Sequence, residues 1–193
     1  RAKFPDMIDR ARLEGIVREA GRIALAAWPG DGHACEVWNK QEAGGASSPV
    51  SASDIAVDTF LKRELKALLP SAGWLSEETV DSPARMGCSL IWLVDPIDGT
   101  RDYIHGRSGW AVSVALVSSS RPLLGCLYAP ARCREDGGEL WHAEAGQGAW
   151  RNGERLDASR RVALPGARVP AKTLPRGDAD LVSVERPNSI ALR

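Results

Sequence analysis

Two stretches near the start of the chain carry apolar residues at three- and four-residue spacing, which predicts two amphipathic helices. The first spans residues 8–27 and ends before Pro29-Gly30, a pair that stops helices. The second follows Ser51, and Ser51 with Asp54 three positions later fits a capping box at its start. A further short helix or turn is predicted over residues 101–109.

Apolar runs bounded by polar, Gly or Pro residues predict short strands in the rest of the chain. The run Leu90–Val94 is predicted to be a strand of about five residues that is buried on both faces. Asn152-Gly153 is typical of a type I′ hairpin turn. The other predicted strands cover residues 34–38, 110–117, 123–128, 139–143 and 148–150, and residues 73–75 form a further apolar segment. Together these elements predict an α+β protein with helices packed on an antiparallel sheet.

Two stretches lack this patterning. Residues 40–49 are rich in Gly and Ser, which predicts a mobile loop or a plain surface linker. Between Asp157 and Glu185, prolines and glycines interrupt any long element, so no regular structure is predicted there.

Composition and charge exclude several classes of protein. The chain has 193 residues, with 25 Lys+Arg and 25 Asp+Glu, so its formal net charge is zero. A neutral chain lacks the basic surface of a general nucleic-acid binder, and its apolar stretches are far shorter than a membrane span. The four cysteines form no Cys-x-x-Cys pair, which favours buried free thiols in a cytoplasmic protein over a zinc site.

The candidate chemistry lies where the run Leu90–Val94 ends. Asp95 and Asp98 flank Pro96, which holds the backbone stiff, and Gly99-Thr100 follow with free backbone N–H groups. Carboxylates beside free amides suit a divalent cation bound together with a phosphate. An Asp-Pro turn with a local cap is the simpler alternative. A second acidic pair, Glu77-Glu78, closes another apolar segment and favours the metal site.

Several segments carry a resemblance to a known family. The stretch Asp95-Pro96-Ile97-Asp98-Gly99-Thr100 resembles the signature of the inositol monophosphatase family. Trp74-Leu75-Ser76-Glu77-Glu78-Thr79 resembles the family's Gly-Glu-Glu-Ser segment, with Ser76 in place of the glycine. Pro49-Val50-Ser51-Ala52-Ser53-Asp54 resembles its Pro-Val-Thr-x-Ala-Asp segment. The segments occur in the family's order, and the resemblance extends over most of residues 6–157, through 110–117 and 146–153.

The resemblance implies a Mg²⁺-dependent, lithium-sensitive phosphatase whose metal ions activate water. It implies that Glu77, Asp95 and the Ile97 carbonyl hold one Mg²⁺, and that Asp95 and Asp98 reach another. Two or three ions are expected, with Mn²⁺ as a substitute. Glu77 and Thr100 are expected to orient the attacking water, and phosphate is expected at Asp98, Gly99 and Thr100. For Asp54, helix capping and a contact to metal-bound water are weighed equally and are compatible.

The substrate stays open among small phosphate esters. Inositol monophosphate is the first expectation, and 3′(2′),5′-bisphosphate nucleotides or fructose 1,6-bisphosphate are alternatives on the same fold. A family-derived binding or regulatory protein that kept the metal site and lost turnover is the alternative of another class. Family members are often dimers, so the resemblance allows a homodimer.

The implied fold is the layered α/β sandwich of sugar phosphatases. Residues 1–157 are expected to form its metal- and phosphate-binding domain, and residues 158–193 a linker and the start of an incomplete second domain. The family supplies a further metal-binding aspartate from a later Trp-Asp-x-Ala-Ala-Gly segment, and these 193 residues contain no such segment. We expect the native chain to continue past Arg193, where residues 186–193 resemble the start of a family helix.

Overall fold

The structure, a computed structural model, describes residues 8–41, 47–118, 121–158 and 160. Residue contacts divide the chain into one unit over Arg1–Leu156 and another over Asp157–Arg193. The fold below is that of the first unit, and the predicted division into two domains stays a prediction. The predicted helix start at 186–193 lies outside the described residues, as does almost all of the stretch without regular structure after Asp157.

Both predicted helices are present. Helix α1 spans Arg10–Ala26, and the Asp9 side chain caps its start by accepting a hydrogen bond from the Arg12 backbone N–H at 3.1 Å. Helix α2 spans Ala52–Leu68 and begins with the predicted capping box between Ser51 and Asp54. The two helices pack against each other and bury their apolar faces. These faces consist of Leu13, Ile16, Val17, Ala20 and Ala24 in α1 and of Val57, Leu61 and Leu65 in α2.

Seven strands form one sheet in the order β3-β4-β5-β6-β7-β8-β9. They span β3 Gly73–Ser76, β4 Ile91–Asp98, β5 Ala111–Ser118, β6 Arg121–Ala129, β7 Glu139–Glu144, β8 Gly148–Arg151 and β9 Glu154–Leu156. Every neighbouring pair is antiparallel except β3–β4, which is parallel. The predicted fold class is confirmed, and the parallel pair is a detail that the sequence pattern did not reveal. Helices α1 and α2 contact strands β4, β5 and β6, where they build the core.

The prediction that strand β4 is short and buried on both faces is wrong. The strand continues through both aspartates to Asp98, and its side chains alternate in burial. Trp92 and Val94 are buried against the helices, whereas Leu93 points to the other face and is 46% exposed. An apolar run alone does not show how many faces of a sheet are covered, and the helices of this unit cover one.

Two paired strands flank the centre of the glycine- and serine-rich stretch. Strands β1, Val37–Gln41, and β2, Ser47–Ser51, pair antiparallel, so the predicted strand at 34–38 begins later and the predicted loop at 40–49 is shorter. Backbone pairing extends these strands into polar sequence because each added residue satisfies its N–H and C=O groups. Residues 42–46, between the two strands, lie outside the described residues.

The turn between β8 and β9 agrees with the prediction. Strands β8 and β9 are joined by a tight turn in which Asn152 and Gly153 both have positive φ, as the type I′ turn requires.

The cysteines are free, as predicted, but their expected burial holds for Cys126 only. Cys133 is exposed, and Cys35 and Cys88 are half-buried. None of the described helices is long and apolar enough to span a membrane.

A short third helix links the sheet to both long helices. Helix α3 spans Thr100–Ile104, and Tyr103 within it is fully buried, with its ring edge-on to Trp110 at 5.0 Å. The Tyr103 hydroxyl donates to the Ala24 carbonyl oxygen of α1 at 2.7 Å and is hydrogen-bonded to Ser53 Oγ of α2 at 2.7 Å. This hydroxyl therefore ties three helices together at the end of β4.

We expect Tyr103→Phe to lower the free energy of unfolding by about 1 to 3 kcal/mol, because it removes the hydrogen bonds that the buried Tyr103 hydroxyl makes to two helices. Tyr128→Phe is the matched control, since its hydroxyl makes one bond, to the Gly137 carbonyl at 2.8 Å, and that bond is only partly buried. Urea denaturation measures both values. An equal or smaller loss for Tyr103→Phe would contradict this role.

Candidate metal and phosphate site

The parallel pairing of β3 and β4 brings the two acidic segments together. Ser76 pairs with Val94, and the backbone N–H of Glu77 donates to the Val94 carbonyl at 3.2 Å. Because the carboxyl ends of parallel strands lie side by side, Glu77 comes next to Asp95. The sequence shows only the order of these two motifs along the chain, and the strand pairing makes them neighbours in space.

A β-bulge follows Asp95. The pairing register of β4 with β5 shifts between Asp95 and Asp98, and Pro96 lies in this irregular segment, where its missing N–H does no harm. Asp95 is half-buried, Ile97 is buried and Asp98 is exposed. The Ile97 carbonyl accepts a hydrogen bond from Thr100 Oγ1 at 3.0 Å, so it is turned toward the loop that follows the strand.

Gly99 makes the turn from β4 into helix α3. Its φ is +91°, and a Cβ added there would lie 2.6 Å from the carbonyl oxygen of Gly109. Its own carbonyl accepts hydrogen bonds from the backbone N–H groups of Asp102 and Tyr103 at 2.8 and 3.0 Å. Only glycine fits this conformation and this close approach.

Asp54 is buried and fully engaged at the start of α2. Its carboxylate accepts hydrogen bonds from the Ser51 N–H at 2.7 Å and from Ser51 Oγ at 2.5 Å, and it lies 3.4 Å from Thr100 Oγ1. Burial raises the pKa of Asp54, while the bonds from Ser51 and Thr100 act to lower it. The capping role is confirmed, and the contact to Thr100 links the cap to the end of β4.

Negative charge accumulates around Asp95. Loss of water and then the charges of Glu77 and Asp98 raise the pKa of Asp95 to about 8. A carboxylate in such surroundings gains from a cation, which would offset the repulsion among these groups. The donors are all oxygens, which is the ligand set that Mg²⁺ and Ca²⁺ prefer.

Lys40 supplies one positive charge to this region, and its contact with the acidic pair was not predicted. Its Nζ lies 2.6 Å from Glu78 Oε1, 3.3 Å from Glu77 Oε1 and 3.3 Å from the Glu77 carbonyl oxygen. Burial acts to lower the pKa of Lys40, but the bonds and charges of both glutamates outweigh it, and the net shift is upward. Lys40 thus draws the Glu77 carboxylate toward the hairpin.

The side chains as they stand do not yet surround an ion. Among the described residues, no three His, Cys, Asp or Glu side chains form a group spaced to hold a metal. Glu77 faces Lys40, and its side chain is 47% exposed, which accounts for the open arrangement. The assignment of metal ligands therefore stays a prediction, and the donor chemistry around Asp95 fits it.

A further carboxylate near the site was also missed by sequence reasoning. Asp58 in α2 accepts hydrogen bonds from the hydroxyls of Ser76 and Thr79, which stand on either side of the Glu77-Glu78 pair. The available signal was an acidic residue one helical turn after Asp54, on the apolar face of α2.

Comparison with known relatives identifies similar proteins along most of the chain. The 3′(2′),5′-bisphosphate nucleotidase CysQ of Salmonella typhimurium is 32% identical over 168 residues, which cover 86% of this chain and 62% of that protein. The fructose-1,6-bisphosphatase/inositol-1-monophosphatase of Thermotoga maritima is 28% identical over 149 residues, covering 77% of this chain and 52% of that protein.

A solved structure shows the same fold. The extragenic suppressor protein suhB of Bartonella henselae matches with a TM-score of 0.66 and 27% identity, over 81% of this chain and 56% of that one. This chain thus spans less than two thirds of the length of each of these relatives. The model of the inositol monophosphatase family matches residues 9–185, and the chain belongs to that family.

Proposed function

We propose that this chain carries the metal- and phosphate-binding half of a Mg²⁺-dependent phosphomonoesterase that acts on a small phosphorylated alcohol. Inositol monophosphate is the proposed substrate. The observation that carries the proposal is the convergence of Glu77, Asp95 and Asp98 on adjoining strand ends, with a raised pKa at Asp95. Such crowding of carboxylates is costly unless a cation is bound there.

The residues of the site are proposed to bind the ions and to position the attacking water. Glu77, Asp95 and the Ile97 carbonyl would hold one ion, and Asp95 with Asp98 would reach another. A bound divalent ion neutralises phosphate charge and makes water a better nucleophile at neutral pH. Thr100 and Glu77 would orient the attacking water. Asp54, which lies 3.4 Å from Thr100 Oγ1, is the proposed contact to metal-bound water.

Phosphate would bind over Asp98, Gly99 and Thr100. The proposed donors are the backbone N–H groups of Gly99 and Thr100, at the turn that the positive φ of Gly99 makes between β4 and α3. Phosphoryl transfer depends mainly on positioning and on charge neutralisation, so a covalent nucleophile is not part of the proposal. The proposed partner is thus a small phosphate ester, and a cytoplasmic location remains a prediction from the cysteines.

A second candidate substrate has a specific observation in its favour. The Salmonella relative, 32% identical to this chain, is named for 3′(2′),5′-bisphosphate nucleotide hydrolysis. The Thermotoga relative is named for both fructose 1,6-bisphosphate and inositol 1-phosphate. These names keep a nucleotide or sugar bisphosphate beside inositol monophosphate as alternatives for the same site.

We expect Asp95→Asn and Glu77→Gln each to lower metal-dependent phosphate release by more than about 100-fold, since even residues behind metal ligands cost 10–100-fold. The substitutions keep the side-chain shape, so circular dichroism should be unchanged. Asp81→Asn is the control, because Asp81 pairs with Arg85 on an exposed turn and has no proposed part in the site. Full activity of folded Asp95→Asn would refute the metal assignment.

Removal of the ion should abolish turnover. After chelation and dialysis we expect no phosphate release, and we expect activity to return with Mg²⁺ or Mn²⁺, because the donors are all oxygens. Lithium should inhibit the restored activity. Undiminished turnover in chelator would show that the oxygen cluster is not a metal site.

Rates on three compounds distinguish the candidate substrates. The assay compares phosphate release from inositol 1-phosphate, 3′-phosphoadenosine 5′-phosphate and fructose 1,6-bisphosphate, with Asp95→Asn as the blank. We expect the highest kcat/KM on inositol 1-phosphate. A higher value on the nucleotide would favour the second candidate, and Mg²⁺ binding without turnover on any of the three would favour a binding or regulatory role.

A further inference from the structure

Asp58 is a buried carboxylate that the proposed chemistry does not use. It lies in α2, one turn after Asp54, and is only 7% exposed. A buried carboxylate is costly unless hydrogen bonds replace its water, so its partners must be accounted for.

Both partners of Asp58 flank the proposed metal ligand. Ser76 Oγ donates a short hydrogen bond to Asp58 Oδ1, and Thr79 Oγ1 donates to Oδ2 at 2.5 Å. Ser76 Oγ in turn accepts from the Glu78 backbone N–H at 3.4 Å. One carboxylate therefore holds the chain immediately before and after the pair Glu77-Glu78.

Glu77 needs such support because packing does not fix it. Its side chain is 47% exposed, and the strand that carries it ends at Ser76. The ladder bond from the Glu77 N–H to the Val94 carbonyl and the contact of Lys40 Nζ with the Glu77 carbonyl oxygen hold its own backbone. No strand or helix holds the two residues that follow, and Asp58 binds the hydroxyls on either side of the pair. Charge-assisted bonds from two hydroxyls to one carboxylate are among the stronger hydrogen bonds available for this purpose.

We propose that Asp58 is a positioning residue that fixes the backbone of residues 76–79 and so presents Glu77 to the divalent ion. The inference rests on the proposed function, since it concerns the ion that Glu77 would hold. Groups behind metal ligands set the ligand's orientation in advance, which raises affinity without contact to the ion. The serine at position 76, where the family has glycine, supplies one of the two hydroxyls.

The test is a calorimetric Mg²⁺ titration of the purified metal-free protein. Asp58→Ala should weaken Mg²⁺ binding by about 10- to 100-fold. Asp58→Asn should retain most of the affinity, because an amide can accept from one hydroxyl and donate to the other. In the phosphate-release assay, Asp58→Ala should raise the half-saturating Mg²⁺ concentration and leave kcat at saturating Mg²⁺ nearly unchanged.

A control separates positioning from general destabilisation. Glu139 is also a buried carboxylate, 6% exposed, and lies three strands from β4, about 14 Å at the usual strand spacing. Glu139→Ala should lower thermal stability and leave the Mg²⁺ affinity of the folded protein unchanged. Amide hydrogen exchange at residues 76–79 without metal should rise in Asp58→Ala and stay at the wild-type level in Glu139→Ala.

Every outcome decides between the alternatives. Wild-type Mg²⁺ affinity in folded Asp58→Ala, or equal losses in Asp58→Ala and Glu139→Ala, would overturn the positioning role. If Asp58→Ala does not fold, Ser76→Ala and Thr79→Val remove the same two bonds separately, and unchanged affinity in both would overturn it as well. If the wild-type protein binds no Mg²⁺ and releases no phosphate, the proposed function itself fails.

Discussion

The accumulation of carboxylates at one end of a sheet is the constraint on which the local structure depends. Three of the acidic side chains that lose water there have a compensating arrangement. Asp54 is held by Ser51 and Thr100, Asp58 by two hydroxyls, and Glu78 by the ammonium group of Lys40. Asp95 instead has its pKa raised by burial and by its acidic neighbours, so it is the carboxylate whose ionised form lacks compensation, and it is the residue proposed to hold the ion.

Much of the fold could be predicted because its signals are local. The capping box at Ser51, the helical spacing in α1 and the Asn152-Gly153 turn each act within a few residues, and each is present. The exposure of Leu93 and the parallel pairing of β3 with β4 could not be predicted in this way. They depend on which elements cover the sheet and on which strands become neighbours, and neither property can be inferred from a short segment of sequence.

The same distinction between local and long-range signals applies to the candidate site. The acidic residues were found because their motifs are compact, and the strand pairing then brought two of those motifs together. Lys40 and Asp58 were missed because their contacts join residues 37 and 18 positions apart. An acidic residue on the apolar face of a predicted helix was the only local sign of Asp58, and it did not indicate which hydroxyls would bind it.

The parallel pair β3–β4 has a thermodynamic consequence. Glu77 and Asp95 are neighbours only when this pair has formed, so an unfolded chain offers no comparable site to an ion. A ligand that binds the native state alone stabilises it by mass action, by about 2.7 kcal/mol at one hundred times its dissociation constant. If the proposed ion binds there, the resistance of this domain to unfolding would depend on the free ion concentration, because the carboxylates that repel one another without an ion would then stabilise the fold.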